Sequence, residues 1–192
     1  MHLERANLSA SITWQELERK KLNWNGARNT LNMAKIYFIC GFIGSGKTTY
    51  AKQLANTHAA FRFSIDEWMI PLFGEHMPRE LFDERIDILT ELFKSSAIQM
   101  MQLNTSVIFD FGFWNQLERT KITQWAQSQG FDFELIYLDS SFEICGQRAY
   151  KRNADRLDKA YEMTPEMLQM FWQLFEVPTP HEKVTYVKSS NN

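Results

Sequence analysis

The sequence predicts an α/β fold, a parallel sheet with helices on both faces. Two observations carry that expectation. From Lys35 onward, short apolar runs alternate with amphipathic stretches, and strands that alternate with helices build parallel sheets through crossover connections. A glycine-rich turn also joins the first apolar run to the first helical stretch. In an open α/β sheet, ligands gather at such strand-to-helix turns.

The elements follow in order. Ile36–Cys40 is an apolar run closed by Gly41. Lys47–His58 reads as a helix and Phe61–Ile65 as the second strand. A long helix is expected from about Pro78 to Leu103. Phe82, Ile86, Leu89, Phe93 and Ala97 step by four and three along it, which keeps them on one face, and Pro78 suits its first turn. Val107–Phe109 is the third strand. Asn115–Gln129 reads as a helix stopped by Gly130, a good C-terminal cap. Phe133–Leu138 is the fourth strand, and a basic helix covers Phe142–Arg152. Thr164 and Pro165 open another helix to about Phe175, as a Thr cap followed by a first-turn Pro should. Val184–Val187 is a fifth short strand.

Residues 1–33 differ from the rest. They are polar and Asn-rich, and Thr13-Trp14-Gln15-Glu16 has capping-box spacing, followed by Leu17 and Leu22. The expected division is an N-terminal extension with a short helix over 1–33 and a main domain over 34–192.

The bulk numbers exclude several classes. The 192 residues are 44% hydrophobic and 23% charged, as in a folded globular chain. A net charge of −2 argues against a general nucleic-acid or membrane-surface binder, which carries a basic excess. No apolar stretch approaches the ~18 residues of a membrane span, and the start lacks the apolar core of an export signal. Cys40 and Cys145 have no Cys-x-x-Cys spacing, which fits a reducing cytosol. A cytoplasmic location is expected.

The chemistry centres on Gly41-Phe42-Ile43-Gly44-Ser45-Gly46-Lys47-Thr48, which matches G-x-x-x-x-G-K-[ST] without a gap. Glycines let the backbone fold back so that its N–H groups point inward at phosphate oxygens. The helix that follows adds its positive N-terminal end, with Thr49 in its first turn. Lys47 should reach the β- and γ-phosphates, and Thr48 should supply a hydroxyl to magnesium. Asp110 ends the apolar strand Val107-Ile108-Phe109, where it can hold magnesium or its water shell. Asp66 ends the second strand, near the expected γ-phosphate, where a carboxylate can accept the proton of an attacking hydroxyl. Glu67 competes for that role. Arg148, Arg152 and Arg156 step by four, and residues 148–159 carry five basic and two acidic side chains. Such a cluster suits a lid that balances charge on a transferring phosphoryl group.

On these motifs, Lys35 to Lys188 resembles the small P-loop kinases that include phage-type polynucleotide 5′-kinase, zeta toxin and chloramphenicol phosphotransferase. It looks closest to the bacterial AAA-like predicted kinases. The resemblance implies a P-loop NTPase sheet of order 2-3-1-4-5. It places the general base on Asp66, the strand-three acid on Asp110, and a lid motif Arg-Asn-x-x-Arg on Arg152-Asn153-Ala154-Asp155-Arg156. The run from Thr164-Pro165-Glu166 through Phe175-Glu176-Val177-Pro178 to Glu182 is similar to the tail of that subgroup.

One departure bears on the substrate. The polynucleotide kinases carry an Arg three residues after the base, and here that position is Met69. Residues 66–91 also hold eight acidic side chains against two arginines, which would repel a polyanion. Trp68, Phe73, Phe111, Phe113 and Trp114 flank the two key acids, and aromatic walls suit a compact organic substrate. The expected activity is therefore an ATP- and Mg2+-dependent transfer of phosphate to the hydroxyl of a small molecule. Asp66, Lys47, Arg152 and Arg156 would act in catalysis, and Asp66, Trp68, Phe111 and Trp114 would face the substrate. The alternatives are a polynucleotide 5′-kinase and an ATP-binding switch that controls a protein partner. Neither a nucleic-acid nor a membrane partner is expected, and the oligomeric state stays open.

Overall fold

The computed structural model of the chain describes residues 33–74, 76–154 and 161–188. Its strands are β1 (Ile36–Cys40), β2 (Phe61–Ser64), β3 (Val107–Gly112), β4 (Phe133–Asp139) and β5 (Val184–Lys188). They form one sheet in the order β2-β3-β1-β4-β5, and every pairing is parallel. The helices are α1 (Lys47–His58), α2 (Ile65–Phe73), α3 (Arg79–Gln102), α4 (Gln116–Ser128), α5 (Phe142–Ala154) and α6 (Pro165–Leu174). The fold and strand order agree with the sequence reading. The expected short helix near Thr13 lies outside the described residues.

β1 lies between β3 and β4 and is buried along its whole length. Side chains alternate across a strand, so β1 feeds both faces. Ile36, Phe38 and Cys40 join Phe63, Phe109 and Leu135, beside Leu89, Phe93 and Ala97 of α3. Tyr37 and Ile39 join Ile108, Ile136 and Leu138, beside Ala51 of α1. The face of α3 expected from its four-and-three spacing is the face it buries.

Two of the boundaries that differ from expectation move a candidate site residue. β3 continues past Phe109 to Gly112, so Asp110 lies inside the strand, in register with Ile39 on one side and Ser64 on the other. β2 stops at Ser64, and α2 begins at Ile65. Asp66 therefore sits in the first turn of a helix rather than at a strand end. The helix forms because Ile65 and Met69, one turn apart, are both buried. Asp66 and Glu67 then occupy its first turn, where the helix dipole favours acids. Pro71 removes one helical hydrogen bond, and the helix ends at Phe73.

The tail is tied to the sheet by Arg119 on α4, which is only 1% exposed. Its Nε and Nη2 donate to the two carboxylate oxygens of Glu182 at 2.6 and 3.1 Å. Its Nη1 donates to the Phe113 carbonyl at 3.1 Å and to the Glu176 carbonyl at 2.9 Å. Glu182 also accepts from the Thr179 amide at 2.8 Å. Removing one partner of a buried pair strands the other charge, at a cost of about 3–5 kcal/mol. Arg119→Ala should lose stability on that scale in urea unfolding, and a loss under ~1 kcal/mol would show that the knot is dispensable.

Candidate functional site

The loop Gly41–Gly46 carries β1 into α1. Gly44 has φ +77, and a Cβ there would lie 2.2 Å from the Cys145 carbonyl oxygen. Only glycine fits both the conformation and the space. Phe42 is buried, with its ring against Trp114, Phe142, Trp172 and Phe175. Lys47 Nζ donates to the Phe42 carbonyl at 2.7 Å. The first turn of α1 carries no acidic side chain, so its N–H groups can serve an anion. Ser45 is buried, and its Oγ has no hydrogen-bond partner among the described residues. An orphaned buried hydroxyl costs free energy unless a ligand or water completes it. A phosphate-bearing ligand therefore fits this loop. Ile43 and Gly46 are partly exposed, and Thr48 and Thr49 are exposed at the start of α1.

Lys47 lies within electrostatic reach of both Asp110 and Asp66. Burial pushes its ammonium below the ordinary lysine range, and the two carboxylates oppose that shift. Gly112, at φ +107, leaves room for the Trp114 indole, since a Cβ there would lie 2.8 Å from Trp114 Nε1.

The two adjacent acids of α2 sit in different surroundings. The Asp66 carboxyl is raised above the ordinary aspartate range, first by desolvation and then by Asp110 and Glu67, against Lys47 and Arg152. Asp66 is exposed at its edge of the cleft, so the cleft around it is open rather than sealed. Glu67 is lowered: desolvation acts upward, but the ion pairs to Arg62 and Lys52 together outweigh it. Arg62 Nη2 donates to Glu67, and Lys52 Nζ lies 3.3 Å from its other oxygen. Arg62 Nη1 donates to Asp110 Oδ2 at 2.9 Å, and the Asp110 side chain is only 2% exposed.

On α5, Arg152 faces the same cleft. Burial lowers it and Asp66 opposes that shift. Its Nε is buried without a hydrogen-bond partner among the described residues. Arg148 Nη1 instead approaches the Ser45 carbonyl at 3.5 Å. Asn153 pairs with Met163. Its Nδ2 donates to the Met163 carbonyl at 2.7 Å, and its Oδ1 accepts from the Met163 amide at 3.2 Å. Arg156 lies outside the described residues.

The aromatic candidates divide. Trp68 and Phe111 both pack on Phe93, at 5.0 and 5.8 Å between ring centroids. Trp114 turns elsewhere, against Phe42 and Phe171, and its Nε1 lies over Gly112. A cavity of about 450 Å3 opens at the other end of the loop, lined by Tyr137, Asp139, Ser140, Trp172 and Lys188 among others. It touches the loop through Ser140, whose Oγ approaches the Ser45 carbonyl at 3.5 Å.

The sequence reading missed Arg62, Lys52 and Gly112. Gly112 had a local signal, two residues after the strand acid. Arg62 had only its place in a short strand just before two acids.

A glycine loop between β1 and α1, its lysine, and an acid within β3 define a P-loop NTPase fold of the kinase-like type. The chain belongs to the AAA domain family, whose model matches residues 36–178. No curated protein matches the sequence. Among solved structures, the chain is similar to Chaetomium thermophilum Kti12 in complex with ADP-AlF3, at TM-score 0.62 and 15% identity, covering 82% of this chain and 90% of that one. It is similar to a gluconokinase from Sinorhizobium meliloti 1021, at TM-score 0.56 and 15% identity, covering 84% and 86%. It is also similar to a chain of the Pnkp1/Rnl/Hen1 RNA repair complex, at TM-score 0.59 and 21% identity. There the match covers 77% of this chain and 46% of the other, so this chain spans less than half of that relative.

Gly44→Ala should weaken binding of a fluorescent ATP analogue by about tenfold or more, since backbone strain of this kind costs ~1–3 kcal/mol. Gly130 also has a positive φ, but nothing lies within 4 Å of its Cβ position. Gly130→Ala should lower thermal stability slightly and leave analogue binding intact. Equal binding by the two variants would refute the cradle.

Proposed function

We propose that this chain is an ATP- and Mg2+-dependent phosphotransferase acting on a hydroxyl of a small molecule in the cytoplasm. The observation that carries the reading is the contrast between Asp66 and Glu67. A general base must be unprotonated yet basic near the working pH, so a raised carboxyl suits the task. Asp66 is raised and faces Lys47 and Arg152. Glu67 is lowered and paired with Arg62 and Lys52.

In this reading Asp66 accepts the proton of the acceptor hydroxyl. Lys47 and Arg152 stabilise the charge on the transferring phosphoryl group, and Arg156 joins them from the lid. Thr48 and Asp110 would hold Mg2+. That ion supplies Lewis-acid compensation on phosphate oxygens and needs only one or two protein oxygens beside them. The loop Gly41–Thr49 binds the phosphates, and the nucleoside extends away from Asp66 toward the cavity at Tyr137 and Trp172. Asn153 anchors the lid that excludes water. Residues 1–33 form a separate extension to the kinase domain of 34–192.

On the acceptor side, Trp68, two residues along α2 from Asp66, is 43% exposed and offers an aromatic face. Met69 is 0% exposed and belongs to the core. The position that would carry a phosphate-binding Arg therefore points away from an incoming acceptor. This favours an uncharged or weakly charged acceptor over a nucleic-acid end. Phe111 would complete the aromatic wall. Trp114, lying beneath the phosphate loop, supports that wall only indirectly.

Asp66→Asn should keep nucleotide affinity and lose transfer by ~10²–10⁴-fold, the usual span for a general base. At saturating Mg2+, Glu67→Gln should lose far less. A metabolite screen that reads ADP release supplies the acceptor for this assay, and the reverse ranking would move the base to Glu67. The pH profile gives a second check. The base works only when unprotonated, so kcat should fall as pH drops through the raised Asp66 pKa, above the ~3.9 of an ordinary aspartate. An acid limb at or below that value would contradict the assignment.

The nucleic-acid alternative predicts salt-sensitive binding of short oligonucleotides, because phosphate contacts release counterions. We expect no such binding and no 5′-end labelling. The switch alternative predicts slow hydrolysis that no acceptor stimulates.

A further inference from the structure

The reading above leaves one buried cation without a task. Arg62 bridges two carboxylates, with Nη1 on Asp110 Oδ2 at 2.9 Å and Nη2 on Glu67 Oε2. Its side chain is 12% exposed, and Lys52 braces Glu67 from outside at 3.3 Å. A carboxylate as enclosed as Asp110 needs a counter-ion, because an unpaired buried charge is strongly destabilising. Arg62 fills that need. A divalent cation that reaches Asp110 meets a guanidinium already there, and the two like charges repel. Arg62 would then be stranded unless a second anion held it, and Glu67 is that anion. The planar fork of arginine can hold both carboxylates at once, which lets it release one without losing the other.

We propose that Arg62 and Glu67 form a counter-ion exchange, in which Arg62 neutralises Asp110 until a divalent cation takes its place and Glu67 then holds Arg62. This rests on the reading that Asp110 faces the cation. It makes Arg62 a positioning residue that sets metal affinity, and it gives Glu67 a purpose other than proton transfer.

The test is a Mg2+ titration of fluorescent, non-hydrolysable ATP analogue binding, repeated with Mn2+ and read by electron paramagnetic resonance. Neither signal requires turnover. Arg62→Met should shift the metal midpoint to lower concentration, because the competitor is gone. Glu67→Gln should shift it to higher concentration by about tenfold, the scale of one charge-assisted hydrogen bond, because Arg62 then holds Asp110 alone. The double variant is decisive, since Glu67 acts through Arg62. In the Arg62→Met background, Glu67→Gln should lose most of its effect, whereas a general field effect would be additive. Additive shifts, shifts of one sign, or no shift would each overturn the exchange. Should Arg62→Met fail to fold, Arg62→Gln replaces it. It also removes the competing charge but keeps a polar side chain beside Asp110, so Glu67→Gln must again lose most of its effect. The two readings can fail separately. If Mg2+ does not strengthen analogue binding in the unaltered protein, the cation role of Asp110 falls and the exchange with it. If Mg2+ strengthens binding but the variants add, only the exchange falls.

Discussion

A guanidinium buried to 1% exposure must match its donors inside the protein, and Arg119 does so in three separate segments. It holds the turn after β3 through the Phe113 carbonyl, the exit of α6 through the Glu176 carbonyl, and the short turn before β5 through Glu182. The consequences reach the phosphate loop. Gly112 and Phe113 both have positive φ, at +107 and +46, so the chain turns sharply where Arg119 grips it. The Gly112 carbonyl accepts from the Gly41 amide at 3.1 Å, and Cys40 Sγ donates to the Phe113 carbonyl at 3.4 Å. The first residue of the loop is therefore fixed by a turn that α4 and the tail hold in place. Phe42 completes the link by packing among Trp114, Trp172 and Phe175.

With the backbone fixed in this way, the site is governed by charge. Lys47, Lys52, Arg62 and Arg152 face Asp66, Glu67 and Asp110 across the carboxyl end of the sheet. The set is close to balanced. It is not uniform, however. Arg62 and Lys52 are occupied by Glu67 and Asp110, whereas Lys47 and Arg152 carry burial that pulls their pKa down. Cations held in that condition gain most from an incoming anion, because burial is what weakens them. A triphosphate is an anion of that kind, and the orphaned Ser45 hydroxyl and the open first turn of α1 face the same loop.

Much of this was legible in the sequence for physical reasons. The phosphate loop is a contiguous motif in which each residue type answers a backbone demand, so it could be read without a partner. The strand order came with the resemblance, and the helix bounds came from caps such as Thr164, which accepts from the Met167 amide as expected. What could not be read depends on long-range pairing. Arg62 and Asp110 are 48 residues apart, and Arg119 and Glu182 are 63 apart. Neither pair has a local signal, because only the register of β2 on β3 and the path of the tail bring them together. α2 was missed because Pro71 and two adjacent acids resemble a loop. Its stability comes from burying Ile65 and Met69, a tertiary effect that outweighs local propensity.

That same helix explains how neighbouring acids can be given different tasks. At 3.6 residues per turn, successive side chains point about 100° apart. Had Phe61–Ile65 run on as a strand, Asp66 and Glu67 would have pointed to opposite faces of the sheet, and one would have left the cleft. In the first turn of a helix both stay at the carboxyl end of the sheet, but they meet different cations. Glu67 swings toward Arg62 of β2 and Lys52 of α1, and its charge is satisfied there. Asp66 swings toward Lys47 and Arg152, which are also drawn toward the phosphate loop, and its carboxyl stays raised. The division of labour between a structural anion and a candidate base thus follows from one change of secondary structure, made one residue earlier than the sequence alone suggests.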